Sequence, residues 1–259
     1  MSDNGVHKKN QCWLGALGLL SFFITACVVA PASMLAKLVD VENRNVAFAA
    51  IEGTLWRGSI ANLSINNISL GNVDFQLAPL SLLTLSPRIT LNAEGGDVFG
   101  SGVISYAPSA KYFASNVNAQ INLGATATSG VLGQPVEGSA ELFVEQYVFT
   151  ESKGCIKAAG AVWTDVLNAP SKRYDLPELP LSGELHCEEG ATIIKLSGEN
   201  VRAGTDVLVR IFPNLTYEVT AKATPSEAEV ASALRYFGFE DQNGALIYGA
   251  AGVFKGPGS

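Results

Sequence analysis

Two histidines, His7 and His186, and four cysteines, Cys12, Cys27, Cys155 and Cys187, are the residues best suited to acid–base, nucleophilic or metal chemistry. Their spacing speaks against each role. A serine hydrolase needs a nucleophile, a base and a group that orients the base. Past residue 37 only His186 could act as that base, and no Gly-x-Ser-x-Gly turn supplies the serine. His-Glu-x-x-His, Gly-x-x-x-x-Gly-Lys-Ser/Thr and a helix-opening Gly-x-Gly-x-x-Gly are also missing. No Cys-x-x-Cys exists, and adjacent His186 and Cys187 would point to opposite faces of a strand, which disfavours a shared metal. His186 sits on the polar parity of its strand, and Glu188-Glu189 reads as an acidic turn. These residues imply no enzyme, no metal and no cofactor.

The cysteines divide by position. Cys12 and Cys27 lie in an apolar stretch and read as buried thiols. Cys155 and Cys187 are the only pair beyond it. In an exported chain such a pair reads as a disulfide, and closing its loop would stabilise the fold by roughly 3–4 kcal/mol in the chain-entropy model.

Export is implied by the N-terminal segment. No charged side chain occurs between Lys9 and Lys37, and Trp13 to Ala36 is long enough to cross roughly 30 Å of hydrocarbon as a tilted helix. Trp13 marks one interface, and Lys8-Lys9 before the segment orients it by the positive-inside rule. The expected organisation is therefore a cytoplasmic tail at 1–12, a single-pass transmembrane anchor at 13–36 and a periplasmic β domain at 37–259. Two competing readings stay open. Ile24-Thr25-Ala26-Cys27 resembles a lipoprotein cleavage box, and an ordinary cleaved signal is the other. All three export the remainder.

From residue 45 onward the pattern has period two. Arg88 to Glu94 alternates cleanly before a Gly95-Gly96 turn, and Val117, Ala119, Ile121 and Leu123 alternate with polar residues. Ala140, Leu142, Val144 and Val148 share one parity, with Glu137, Glu141 and Glu145 on the other. Leu215 to Ala221 alternates with Thr216 to Lys222. Such strands belong to an antiparallel sheet with one wet face. About a dozen are expected, with turn signals at meander spacing. The fold class is mainly β: a curved antiparallel sheet or roll behind the transmembrane helix. Pro170 to Pro180 reads as an excursion between strands and not as a domain boundary.

Two helical pieces are expected. Leu77 to Leu85, containing Pro79, reads as a short helix or as an apolar loop packed on the sheet. Thr224 to Gly238 reads as an amphipathic helix capped by Thr224, with Pro225 at its first position and Val230, Leu234 and Phe237 on one face. Net charge is −7, with no basic stripe, so nucleic acid is not an expected partner.

One phrase goes beyond composition. Pro31-Ala32, then Val46-Ala-Phe-Ala-Ala-Ile-Glu-Gly53-Thr54-Leu55-Trp56-Arg57-Gly58, resembles the type II secretion system protein N family. So does Cys155-Ile-Lys-Ala-Ala-Gly160-Ala-Val-Trp163 followed by Ser182-Gly-Glu-Leu-His-Cys187. Val73-Asp74-Phe75 departs from the pattern, which would place a tryptophan there. The resemblance implies an inner-membrane accessory or scaffold of the machine that moves folded proteins from periplasm to outside. Its partners would be other inner- or outer-membrane components of that machine, with no catalytic residue and no cofactor. Gly53, Trp56, Gly58 and Trp163 are its structural or interaction candidates, and both tryptophans read as core anchors of the sheet. A second hypothesis is a groove: one continuous apolar face on a curved, anchored sheet would hold acyl chains and move lipid.

Overall fold

The computed structural model describes residues 46–65, 68–108, 111–124, 137–173, 175–236 and 238–253, together with 21, 25 and 29–33. The expected tail at 1–12 and most of the expected anchor at 13–36 lie outside them. Among the described residues no helix is long and apolar enough to cross a membrane.

The alternating segments become strands. In chain order these are β1 (Val46–Ala47), β2 (Ala50–Gly53), β3 (Arg57–Ile65), β4 (Ile68–Leu77), β5 (Arg88–Glu94), β6 (Val98–Ala107), β7 (Lys111–Asn122) and β8 (Ser139–Thr150). There follow β9 (Gly154–Thr164), β10 (Leu181–Glu188), β11 (Ala191–Glu199), β12 (Ala203–Ile211), β13 (Thr216–Pro225), β14 (Glu240–Gln242) and β15 (Ala245–Val253). Among the described residues three short helices interrupt the strands: α1 (Pro79–Leu83), α2 (Asn168–Arg173) and α3 (Ala228–Tyr236). All described strands form one antiparallel sheet in near-sequential order, β1-β3-β4 and so on to β13-β15-β14, with β2 also on β3. This is a meander, the arrangement that short turns between sequential strands favour. β9 and β10 pair directly across the 165–180 excursion, so that stretch is an insertion within one sheet.

The registers collect the apolar residues on one face. Ile60 lies opposite Val73, Val73 opposite Ala93, and Phe75 opposite Leu91. The same face continues through Leu142 and Val162, Leu185 and Ile194, and Val209 and Val219. The other face carries Ser59 and Asp74, Glu184 and Lys195, and Asp206 and Lys222. The enclosed core lies mainly in the C-terminal half in two groups: Leu179, Leu181, Ala223, Val230 and Leu246 toward one end, and Val148, Cys155, Leu185, Ala191 and Ile193 toward the other.

Three expectations need correction. Val148 leaves the face of Val144, because a register shift between Val144 and Gln146 reverses the alternation. Tyr147 takes that face instead and reaches Thr192 of β11, Oη to Oγ1, at 2.8 Å. The C-terminal helix begins at Ala228, later than expected, because Thr224 and Pro225 end β13 opposite Gly204 and Ala203. Proline is tolerated at a strand end, where no ladder N–H is required of it. Val230 of this helix is buried and Gly238 ends it at φ 90°, both as the pattern implied; Phe237 lies outside the described residues.

The third correction concerns Trp163, which is not a core anchor. It lies opposite Glu141 and Ser182 on the polar face and is 38 % exposed. Its neighbours Val162 and Thr164 hold the apolar parity, so the indole takes the wet side. Trp163→Ala is accordingly expected to change stability by less than about 1 kcal/mol, as for other surface positions. A melting curve of the variant tests this; a fall of more than about 10 °C would restore the core reading.

Candidate functional site

The Gly53-Thr-Leu-Trp-Arg-Gly58 phrase is the hairpin between β2 and β3. Gly53 lies opposite Gly58, and the Thr54 N–H donates to the Arg57 carbonyl at 2.9 Å. The Thr54 hydroxyl oxygen accepts from the Trp56 and Arg57 N–H groups at 3.4 and 3.3 Å, closing the turn from inside. Both glycines answer to close approach. A Cβ on Gly53 would stand 2.7 Å from the Gly58 Cα, and Gly53 has φ +96°. A Cβ on Gly58 would strike the Glu52 carbonyl oxygen and come within 2.8 Å of the Phe75 ring.

This hairpin joins three parts of the chain. The Ala32 N–H donates to the Gly53 carbonyl at 3.1 Å, the Leu55 N–H donates to the Ala30 carbonyl at 3.0 Å, and Pro31 bridges to Thr54. Ala32 is fully enclosed. On the other side, the Leu77 N–H donates to the Trp56 carbonyl at 2.8 Å, which ties the hairpin to the connection holding α1. The Trp56 side chain is half-buried in this junction. Ala30 to Ala32, in the last third of the apolar N-terminal segment, are thus stitched to the sheet. Thr54→Ala should cost about 1 kcal/mol, as other lost turn and cap hydroxyls do. A shift of a few degrees in melting temperature is the measurement.

The cysteine pair lies on the apolar face farther along the sheet. Cys155 and Cys187 form a disulfide with a Cα separation of 5.5 Å. Thr192, the hydrogen-bond partner of Tyr147, lies directly opposite Cys187, so two cross-strand ties meet here. His186 and Ile193 face each other on the opposite side, and Ile193 is among the most enclosed side chains.

Acid–base chemistry has little to work with in this arrangement. Tyr112 is raised above its ordinary pKa by its hydrogen bond to Glu151, Oη to Oε1 at 3.2 Å, and by that carboxylate's charge. Lys172 is raised by its ion pair with Glu178, 2.9 Å away. Both pairs are solvent-exposed; Tyr106 adds slightly to the shift of Tyr112 and Asp165 to that of Lys172. Among the described residues no three His, Cys, Asp or Glu are grouped as a metal would require.

Of the two readings of Leu77 to Leu85 the structure has the short helix, α1, with none of its side chains buried, and not an apolar loop packed on the sheet. Leu80 is 76 % exposed, Leu83 81 % and Leu85 71 %. Leucine density between Leu77 and Leu85 marks the helix but not which way its side chains face.

Residues 44–247 match the family described as "Type II secretion system (T2SS), protein N". The chain belongs to the type II secretion system protein N family. The match starts just before β1 and runs into β15, so it covers the sheet and the hairpin. Two relatives carry the name "Type II secretion system protein N". The protein from Aeromonas hydrophila is 26 % identical over 99 residues, 38 % of this chain and 39 % of its own length. The protein from Vibrio cholerae serotype O1 is 27 % identical over 192 residues, 71 % of this chain and 74 % of its own. The alignment to the Aeromonas protein therefore spans well under half of that relative. No solved structure matches this fold.

Proposed function

We propose that this protein N family member is an inner-membrane-anchored scaffold of the type II secretion system, with its sheet in the periplasm. The observation that carries the reading is the stitched hairpin. Ala30 to Ala32 hydrogen-bond to Gly53 and Leu55, which seats the sheet directly against the apolar segment. A rigid seat suits a part that holds other components at a fixed height above the bilayer. The disulfide adds support, since such bonds persist in an oxidising compartment. The partners are other inner- or outer-membrane components of the secretion system.

Reporter fusions after residue 60 should be active for an export-dependent reporter and silent for a cytoplasmic one. The reverse pattern would overturn the orientation. Deleting the protein should impair secretion, and His186→Ala should leave it intact; loss of secretion with the fold preserved would revive a catalytic role for that imidazole.

A second reading, a groove for acyl chains, is favoured by one observation. On the apolar face of β5 and β6, paired Ile89 and Ile104 are 36 % and 44 % exposed, so that part of the face lies open. Lipid co-purifying in stoichiometric amount and lost in an Ile89→Glu, Ile104→Glu variant would support it; protein free of lipid after mild extraction would not.

A further inference from the structure

The connection 78–87 is built to present leucines outward. The Ser81 hydroxyl donates to the Ala78 carbonyl and accepts from the Arg88 N–H, and the Ser86 N–H donates to the Ser81 carbonyl at 3.0 Å. The Thr84 hydroxyl also donates to the Ser81 carbonyl at 2.9 Å. These bonds fix a compact loop, so exposure of its leucines is not a matter of an unformed segment. Leu85 even adopts φ 52°, a left-handed conformation that a branched side chain rarely takes. Folding normally hides such residues; here the hydrogen-bonded frame holds Leu80, Leu83 and Leu85 in water.

The place of this loop supplies the partner. It occupies the same end of the sheet as the hairpin, one backbone bond from it, through Leu77 to Trp56. The hairpin in turn holds Ala30 to Ala32, in the last third of the apolar segment. Farther along that end, Tyr106 and Tyr112 lie opposite each other at the close of β6 and the start of β7, with ring centroids 5.1 Å apart. Tyrosines at this level match the amphipathic belt that borders a bilayer. Charge agrees. The chain is −7 overall, yet β3, β5 and β7 each open at this end with an exposed cation, Arg57, Arg88 and Lys111. The carboxylates at the corresponding ends of β2 to β8 are Glu52 and Glu151, and Glu151 is held by Tyr112; the acidic turn Glu188-Glu189 at this end lies farther along, between β10 and β11, away from the leucine loop. Leucines flanked by cations and tyrosines are the composition of a surface that rests in the headgroup region of a bilayer.

We infer that this end of the sheet lies on the membrane, with Leu80, Leu83 and Leu85 inserted into the interfacial region and Arg57, Arg88 and Lys111 against anionic headgroups. The inference rests on the anchored reading above. It makes the domain bilayer-seated at two points, the stitched hairpin and the leucine loop, which restrains its tilt as well as its height.

The test uses the full chain in nanodiscs of phosphatidylethanolamine and phosphatidylglycerol. In a Cys12→Ser, Cys27→Ser background that keeps the disulfide, single cysteines at Leu80, Leu83, Ser21 or Val201 are labelled with a nitroxide maleimide. Val201 is 85 % exposed at the far end of the sheet and serves as the aqueous control. Labels at 80, 83 and 21 should be relaxed more by oxygen than by a water-soluble nickel chelate, with the order reversed at 201. Labels at 80 and 83 that behave like 201, while 21 reports lipid, would overturn the membrane contact and leave the anchor intact. Aqueous behaviour at 21 as well would overturn the anchor and the contact together. A lipid signature at 201 would overturn the contact as a property of this end.

Discussion

Replacing both Cys155 and Cys187 with alanine should destabilise the domain by about 3–4 kcal/mol, because the bond closes a loop across a sequence separation of 32. In a domain of this size that corresponds to a melting temperature lower by about 10 °C. The local structure makes the loss hard to absorb. The β9–β10 ladder runs only from Leu181 opposite Thr164 to Leu185 opposite Gly160. Past that point no ladder pairing joins His186–Glu188 to the start of β9, and the disulfide takes over as the link. The Cys155 N–H bond to the Gly190 carbonyl at 2.8 Å remains as a nearby tie. The excursion 165–180 lies inside the closed loop, so protease cleavage there should rise in the double variant. Melting of the oxidised parent and the variant side by side gives the number. A difference under about 2 °C would mean that the Tyr147–Thr192 bond and the enclosed face hold these strands unaided.

The sheet was legible because burial on one face leaves a period of two in the sequence. Arg88 to Glu94 and Thr216 to Lys222 read correctly residue by residue. Legibility stopped where the backbone breaks its own period. Between Val144 and Gln146 one extra residue reverses the alternation, and nothing in Glu145 announces it. Val148 was therefore placed on the wrong face, and Tyr147, which ties β8 to β11, was overlooked. Gly160 and Gly183 also have a physical source: a Cβ at either would strike a carbonyl oxygen of the adjacent strand, Phe143 or Lys195, so they mark close strand approach.

The candidate site was legible in one part and misread in another. Gly53, Trp56 and Gly58 stand out through the family resemblance, and the hairpin gives the two glycines a physical reason. The backbone bonds to Ala30 and Ala32 could not be seen, since main-chain pairing leaves little trace in side-chain identity. Trp163 was misjudged because size was taken for burial. The leucines after Leu77 form the short helix the pattern allows, but residue type alone does not place them in water, since apolar residues by default seek the interior.

Gly58→Val should disrupt the hairpin and destabilise the domain by about 3 kcal/mol, the upper part of the range for overpacking. Two collisions drive this. A Cβ at 58 meets the Glu52 carbonyl oxygen of the paired strand, which cannot retreat without breaking the β2–β3 ladder, and it meets the Phe75 ring on β4. Valine adds two methyl groups to that contact, so the ring and the backbone must both move. Opening this edge also frees the Gly53 carbonyl and the Leu55 N–H, and with them the bonds to Ala32 and Ala30. The variant should therefore show two linked changes: a lower melting temperature, and amide exchange at Ala32 and Leu55 faster than in the parent. Gly249→Ala on β15 is the matched control, since a Cβ there meets nothing within 4 Å, and it should melt with the parent. Slow exchange at Ala32 in a destabilised Gly58→Val protein would show that the chain exit is held independently of the hairpin. The seat proposed for the sheet would then lie elsewhere.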